Sequence, residues 1–158
     1  VVITCEVQDP GNVGAIVRVA EAAGASGMVA AGASADPFGW KALRGSMGSA
    51  LRLPILARAQ IDEAVAEARR HGCRVAAAVP RGGRAPADTD LTGRLAVFVG
   101  GEGVGLAADL AAAADVRLTI PMEPPVESLN TAVTAALILY EVRRQRHARD
   151  DSSARGRQ

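Results

Sequence analysis

The chain has 158 residues, 49% hydrophobic and 22% charged, a size and balance that suit one soluble domain with its own core. A formal net charge of +1 excludes a protein held to nucleic acid by bulk charge alone, and an aromatic content of 3% keeps any base-stacking platform small. Cys5 and Cys73 lie far apart and match neither a zinc spacing nor a disulfide scaffold, so they read as free thiols of a reducing cytoplasm. No apolar run is long enough to span a bilayer, and no cluster of metal ligands is seen, since His71 and His147 stand alone.

The predicted elements alternate. Residues 1–7 (VVITCEV) are β-branched and apolar and read as a buried strand. Asp9-Pro10-Gly11-Asn12 is a turn in which either Asp9 or Asn12 caps a helix over 13–23, ended by Gly24. A second strand covers 26–31, and short helical turns fill 40–53, where Lys41 is the only lysine of the chain. A strand over 54–57 precedes an amphipathic helix over 61–70, with Ile61, Ala64, Val65 and Ala68 on one face. A strand over 74–79 runs into a polar stretch, 80–92, predicted to be a surface loop. The most apolar strand, 95–99, enters Gly100-Gly101-Glu102-Gly103-Val104-Gly105, followed by a helix over 106–114 and a strand over 116–120. A proline-bearing loop then leads to Glu127, Ser128 and Asn130 at the start of a long apolar helix. Arginines 143, 144, 146, 149, 155 and 157 crowd the end, and residues 148–158 are expected to form a disordered basic tail.

Continuous apolar strands alternating with helices specify an α/β fold, a mostly parallel sheet with helices on both faces. Ligands of such sheets sit beyond the carboxyl ends of the strands. Three polar clusters follow strand ends: 12–18, 100–105 and 121–130. Singly, each has a plain structural reading. Asn12, Gly14 and Arg18 suit a helix cap, a close-packing glycine and a surface arginine paired with Glu21. Glu102 suits a solvated loop, and Ser128 an N-cap. The glycine run does not fit the G-x-G-x-x-G dinucleotide fingerprint.

In order, however, Asn12-x-Gly14-x-x-x-Arg18, Gly100-x-Glu102-Gly103-x-Gly105-Leu106, and Ile120-Pro121-Met122 with Ser128-Leu129-Asn130 resemble the three motifs of the SpoU (TrmH) family. These are S-adenosylmethionine-dependent RNA ribose 2′-O-methyltransferases of the SPOUT superfamily. Lys41-x-x-Arg44-x-Ser46-x-Gly48 resembles the family's segment between the first two motifs. The resemblance covers residues 1–146 and implies a deep C-terminal trefoil knot, although chains as a rule avoid knots. It implies a catalytic domain over 1–147 acting on rRNA or tRNA as a homodimer, with a separate upstream RNA-binding domain missing before Val1. By position it implies S-adenosylmethionine contacts from Gly100, Gly101, Gly103, Ile120, Met122 and Leu129. Catalytic roles fall to Arg18, Glu102, Ser128 and Asn130, supported by Asn12. Lys41, Arg44 and Arg52, with help from the C-terminal arginines, are expected on the RNA backbone. The stripe Leu129, Val133, Ala136, Leu137 and Tyr140 suits either the core or a dimer interface. The alternative to an enzyme is an inactive fold of the same type that binds cofactor or RNA.

Overall fold

A computed structural model describes residues 1–155, with side chains through residue 150. Six strands run β1 (Val2–Cys5), β2 (Met28–Ala31), β3 (Ile55–Ala59), β4 (Arg74–Ala78), β5 (Leu95–Gly100) and β6 (Val116–Leu118). They form one sheet in the order β3-β2-β1-β5-β4-β6 with every pairing parallel. The helices are α1 (Pro10–Ala22), α2 (Trp40–Ser46), α3 (Ile61–Arg70), α4 (Ala108–Ala113) and α5 (Thr131–Arg155), with 3-10 turns at Ser49–Leu51 and Pro86–Asp88.

Strand alternation sends successive side chains to opposite faces. Val2 and Val97, paired in register, point to a core closed by Val13, Ile16 and Val17 of α1, Ala42 of α2 and Ala135 and Ile138 of α5. Their neighbours Ile3 and Phe98 point the other way, against Ala64 and Ala68 of α3 and Leu110 of α4. Helices therefore cover both faces, as the sequence predicts. The sheet is wound outward from β1 toward β3 and resumes on the other side through β4 and β5. The chain reverses direction across the sheet at the β1–β5 pair, the position where such folds open a crevice.

Three local readings of the sequence are settled by contacts. Asp9 is the cap of α1, its Oδ1 accepting from the Gly11 N–H at 2.6 Å and the Asn12 N–H at 3.1 Å. Gly14 is a close-packing glycine, because a Cβ there would stand 2.4 Å from the carbonyl oxygen of Ala42. The arginine on Glu21 is not Arg18 but Arg52.

One expectation needs correction. The segment 80–92 is only partly a surface loop: Leu91 is fully buried, and the Gln145 side chain on α5 fastens it. Gln145 Oε1 accepts from the Leu91 N–H at 2.8 Å, while Nε2 donates to the carbonyls of Pro86 and Thr89. Of the segment expected to be a tail, residues 148–155 lie within the bounds of α5, and residues 156–158 lie outside the described residues. Arg146, donating to the Gly93 carbonyl at 2.7 Å, and Arg149, donating to Thr92 Oγ1 at 2.9 Å, tie this part of the helix down. Of the stripe that suits either the core or an interface, Val133, Leu137 and Tyr140 are each about half exposed, and α5 buries Ala135, Ile138 and Leu139.

Candidate active site

The glycines after β5 make a tight hairpin. Gly101 and Gly105 form an antiparallel bridge, closed by the Gly105 N–H on the Gly101 carbonyl at 3.1 Å. Gly103 and Gly105 hold φ of +83° and +71°, which favour glycine strongly. Gly100 has no room for a side chain, since a Cβ would lie 2.1 Å from the Gly105 carbonyl carbon. The hairpin is thereby folded back on its own strand end, with Glu102 carried toward the start of α1.

At that point the three clusters meet through side chains. Asn12 Nδ2 donates to Glu102 Oε1, and Asn130 Nδ2 donates to Asn12 Oδ1 at 3.0 Å. Asn130 Oδ1 in turn accepts from the Ala132 N–H at 2.9 Å and the Val133 N–H at 3.3 Å, which makes Asn130 the cap of α5. The direction of this chain of bonds is forced. Backbone N–H groups only donate, so they fix the oxygen of Asn130; its amide nitrogen then faces Asn12 and turns that amide's nitrogen toward a carboxylate that only accepts. One carboxylate oxygen of Glu102 is thus engaged, and Oε2 has no protein partner. Thr131, buried at the first turn of α5, adds a second tie by donating its hydroxyl to the Gly100 carbonyl at 2.8 Å.

Beside this relay lies a cavity of about 350 Å³, within the range of small-molecule sites. All six positions expected to contact the cofactor line it: Gly100, Gly101, Gly103, Ile120, Met122 and Leu129. Glu102, Ser128 and Asn130 stand on the same wall. A larger groove of about 1130 Å³, on the α3 face, contains none of the motif residues; we place the site at the smaller one because the relay converges there. Among the described residues no group of three or more His, Cys, Asp or Glu is arranged to hold a metal, and no helix is long and apolar enough to cross a membrane.

Arg18 is not with them. It lies six residues along α1 from Asn12, about 9 Å farther up the axis and on a different face. It is exposed, does not line the cavity and makes no hydrogen bond or ion pair. Lys41 and Arg44 are also without hydrogen-bonding partners and flank the Trp40 ring. Arg52 is committed to Glu21 by two bonds of 2.6 and 2.8 Å, which hold the Glu21 carboxyl down to about 2. Of the C-terminal arginines with described side chains, Arg143 donates to the Ala22 carbonyl and Arg144 to Glu141, while Arg155 and Arg157 lie outside the described side chains. Sequence reasoning missed Thr131 and Thr134 on the α5 wall and Ala78 to Pro80 beyond β4. The available signals were a polar β-branched residue opening an apolar helix and, for the second group, one more strand end facing the same rim.

Known proteins resemble this chain over most of its length. The model of the SpoU rRNA Methylase family matches residues 1–140. The chain is 36% identical over 137 residues to the 23S rRNA (guanosine(2553)-2′-O)-methyltransferase RlmP of Bacillus subtilis, covering 87% of this chain and 55% of that protein. The AdoMet-bound rRNA methyltransferase of Sinorhizobium meliloti superposes with a TM-score of 0.85 at 35% identity, over 90% of this chain and 55% of the other. The SpoU methyltransferase AviRb of Streptomyces viridochromogenes, in complex with AdoMet, gives 0.86 at 34% identity, over 93% and 57%. The chain thus spans about half the length of the curated relatives it matches. With its motifs converging in space and the family model running across nearly all of it, the chain belongs to the SpoU rRNA methylase family.

Proposed function

We propose that this chain is the catalytic unit of a cytoplasmic S-adenosylmethionine-dependent methyltransferase acting on a ribose 2′-hydroxyl of rRNA or tRNA. The observation that carries the reading is the relay from the α5 N-terminus through Asn130 and Asn12 to Glu102, at the rim of a cavity of nucleoside size. An inactive binding protein has no need of a carboxylate oriented in this way.

The cavity suits the cofactor. Its walls combine apolar Ile120, Met122 and Leu129 with glycine backbone that a ligand can approach closely. When bound, S-adenosylmethionine supplies an electrophilic methyl group on sulfur. The residues do the rest. Ser128, exposed on the cavity wall, orients the ribose, and Glu102 Oε2 is free to take the hydroxyl proton directly or through water. Asn12 and Asn130 hold that carboxylate in place. Arginine is a poor proton acceptor, so Arg18 grips the target phosphate or offsets developing negative charge on the attacking oxygen.

Arg18 reaches no cavity residue of its own chain, and we assign it to the cavity of a second copy in a homodimer. The outer ridge of α1 bearing Arg18 and the half-exposed Val133, Leu137 and Tyr140 on α5 form the contact surface of that reading. In the same reading residues 121–130 thread the knot of the family, with the Thr131–Gly100 bond pinning the threaded segment to the glycine hairpin. Lys41 and Arg44 lie on the RNA backbone.

The test is transfer of a tritium-labelled methyl group to total RNA, with nucleoside analysis, by wild-type protein, Arg18→Ala and Asn130→Ala. Each variant alone is expected to be inactive, and Arg18→Ala to keep its affinity for S-adenosylmethionine. Co-refolded together, the two variants regain activity, because a mixed dimer has one site with both lesions and one with neither. Methylation on a base rather than the ribose would refute the reaction assigned, and no recovery on mixing would return Arg18 to its own chain.

A further inference from the structure

We propose that Trp40, with Lys41 and Arg44, is a stacking platform for one unpaired base of the single-stranded RNA segment that carries the target nucleotide. The proposal rests on the RNA methyltransferase reading above and adds a residue that the motifs do not contain.

The chain has four aromatic residues, and of these only Phe98 is buried. Trp40 is 65% exposed and Phe38, two residues before it, 46%. An exposed apolar side chain is ordinary by itself; its surroundings decide what it means. Lys41 Nζ lies 5.6 Å from the centre of the Trp40 ring and Arg44 Cζ 6.0 Å. Among the described residues neither cation has a hydrogen bond or a carboxylate partner, whereas Arg52, Arg58, Arg70, Arg81 and Arg144 all have one. The patch is therefore an exposed indole with two positive charges over its ring that no carboxylate of the described residues offsets. A nucleotide answers both, with a flat base and an anionic phosphate. A protein partner fits less well, because interface centres are depleted in lysine and leave no charge unpaired.

The patch is carried by a helix packed on α1. Helix α2 follows the carboxyl end of β2, and its Ala42 carbonyl lies against Gly14 in the N-terminal half of α1. The first turn of that helix carries Asn12 and through it the link to Glu102. Gly45, near the end of α2, is the residue that lies against the Gly11 carbonyl, so α2 approaches the relay with its C-terminal end and Trp40 stands at the other end of that helix.

Trp40 is the only tryptophan, so its fluorescence reports on the patch alone. Titrating the wild-type protein with a short single-stranded oligoribonucleotide is expected to quench it, with an affinity that falls as salt rises. Trp40→Ala, followed by fluorescence anisotropy of a labelled oligonucleotide, should bind about 5- to 150-fold more weakly. Trp40→Phe should recover part of the loss, and both variants should bind S-adenosylmethionine as the wild type does. RNA that saturates the wild type without quenching, or Trp40→Ala binding RNA as tightly as the wild type, overturns the proposal. So does a Trp40→Ala chain that dissociates into monomers with RNA affinity per chain unchanged, which would assign the ring to a protein contact. Failure of the underlying reading shows separately, as wild-type protein that binds no S-adenosylmethionine.

Discussion

Replacing Gly14 by alanine sets two known effects against each other. In an isolated helix interior the change favours the helix by about 1 kcal/mol. Here the added Cβ meets the Ala42 carbonyl oxygen at 2.4 Å and the Ala42 Cα and carbonyl carbon at 3.1 Å. Ordinary contact begins about 1 Å farther out for the oxygen. All three atoms are backbone, so no side-chain rotation relieves them, and α2 must move as a unit away from α1. Gly45, whose own Cβ position lies 3.4 Å from the Gly11 carbonyl, would lose its seat in the same movement. Overpacking of this kind costs about 1–3 kcal/mol, and with rigid backbone on both sides we take the upper end. Subtracting the helix gain leaves a net loss of about 2 kcal/mol, or about 4–8 °C in Tm for a chain of this size. Differential scanning calorimetry measures it, with Gly93→Ala as a control at a site where a Cβ meets nothing within 4 Å. A Gly14→Ala protein that melts at or above the wild-type temperature would show that helix propensity outweighs the crossing, and the packing argument would fail.

Two further outcomes follow from single bonds. Thr131→Val keeps the side-chain shape but removes the donor to the Gly100 carbonyl, and is expected to destabilise the fold by about 1–2 kcal/mol and to weaken S-adenosylmethionine binding. Thr131→Ser should restore both in urea unfolding and calorimetry; valine behaving like the wild type would remove Thr131 from the site's framework. For Glu21 the Arg52 hydrogen bonds are the main cause of its depressed carboxyl, with a bond from Ser49 second. Because the folded-state value lies below the ordinary one, the pairing stabilises fully above about pH 4.3 and is lost as pH falls toward about 2. Carboxyl NMR titration should find Glu21 near 2 in the wild type and close to the ordinary carboxylate range in Arg52→Ala, whereas equal values in the two proteins would contradict the pairing.

The sequence by itself determined the layers. Six apolar runs bounded by turns gave the strands, and the glycine at 24 and the helical spacing of Val13, Ile16, Val17 and Ala20 gave α1, because burial on a regular element leaves a periodic trace along the chain. The order of the three clusters also pointed to their meeting place, since strand ends of a parallel sheet share one rim. Which residues touch there was not legible. The relay spans 118 residues from Asn12 to Asn130, and no local pattern records a hydrogen bond of that reach. The same holds for Gln145 fastening Leu91, for Glu21 choosing Arg52 over Arg18, and for the half exposure of Val133, Leu137 and Tyr140 on α5. Only the tertiary structure decided these, because hydrogen-bond partners and exposure depend on which elements are packed side by side. Arg18 shows the difference most clearly: its spacing from Asn12 puts it in a motif, and the pitch of α1 carries it away from that motif's cavity.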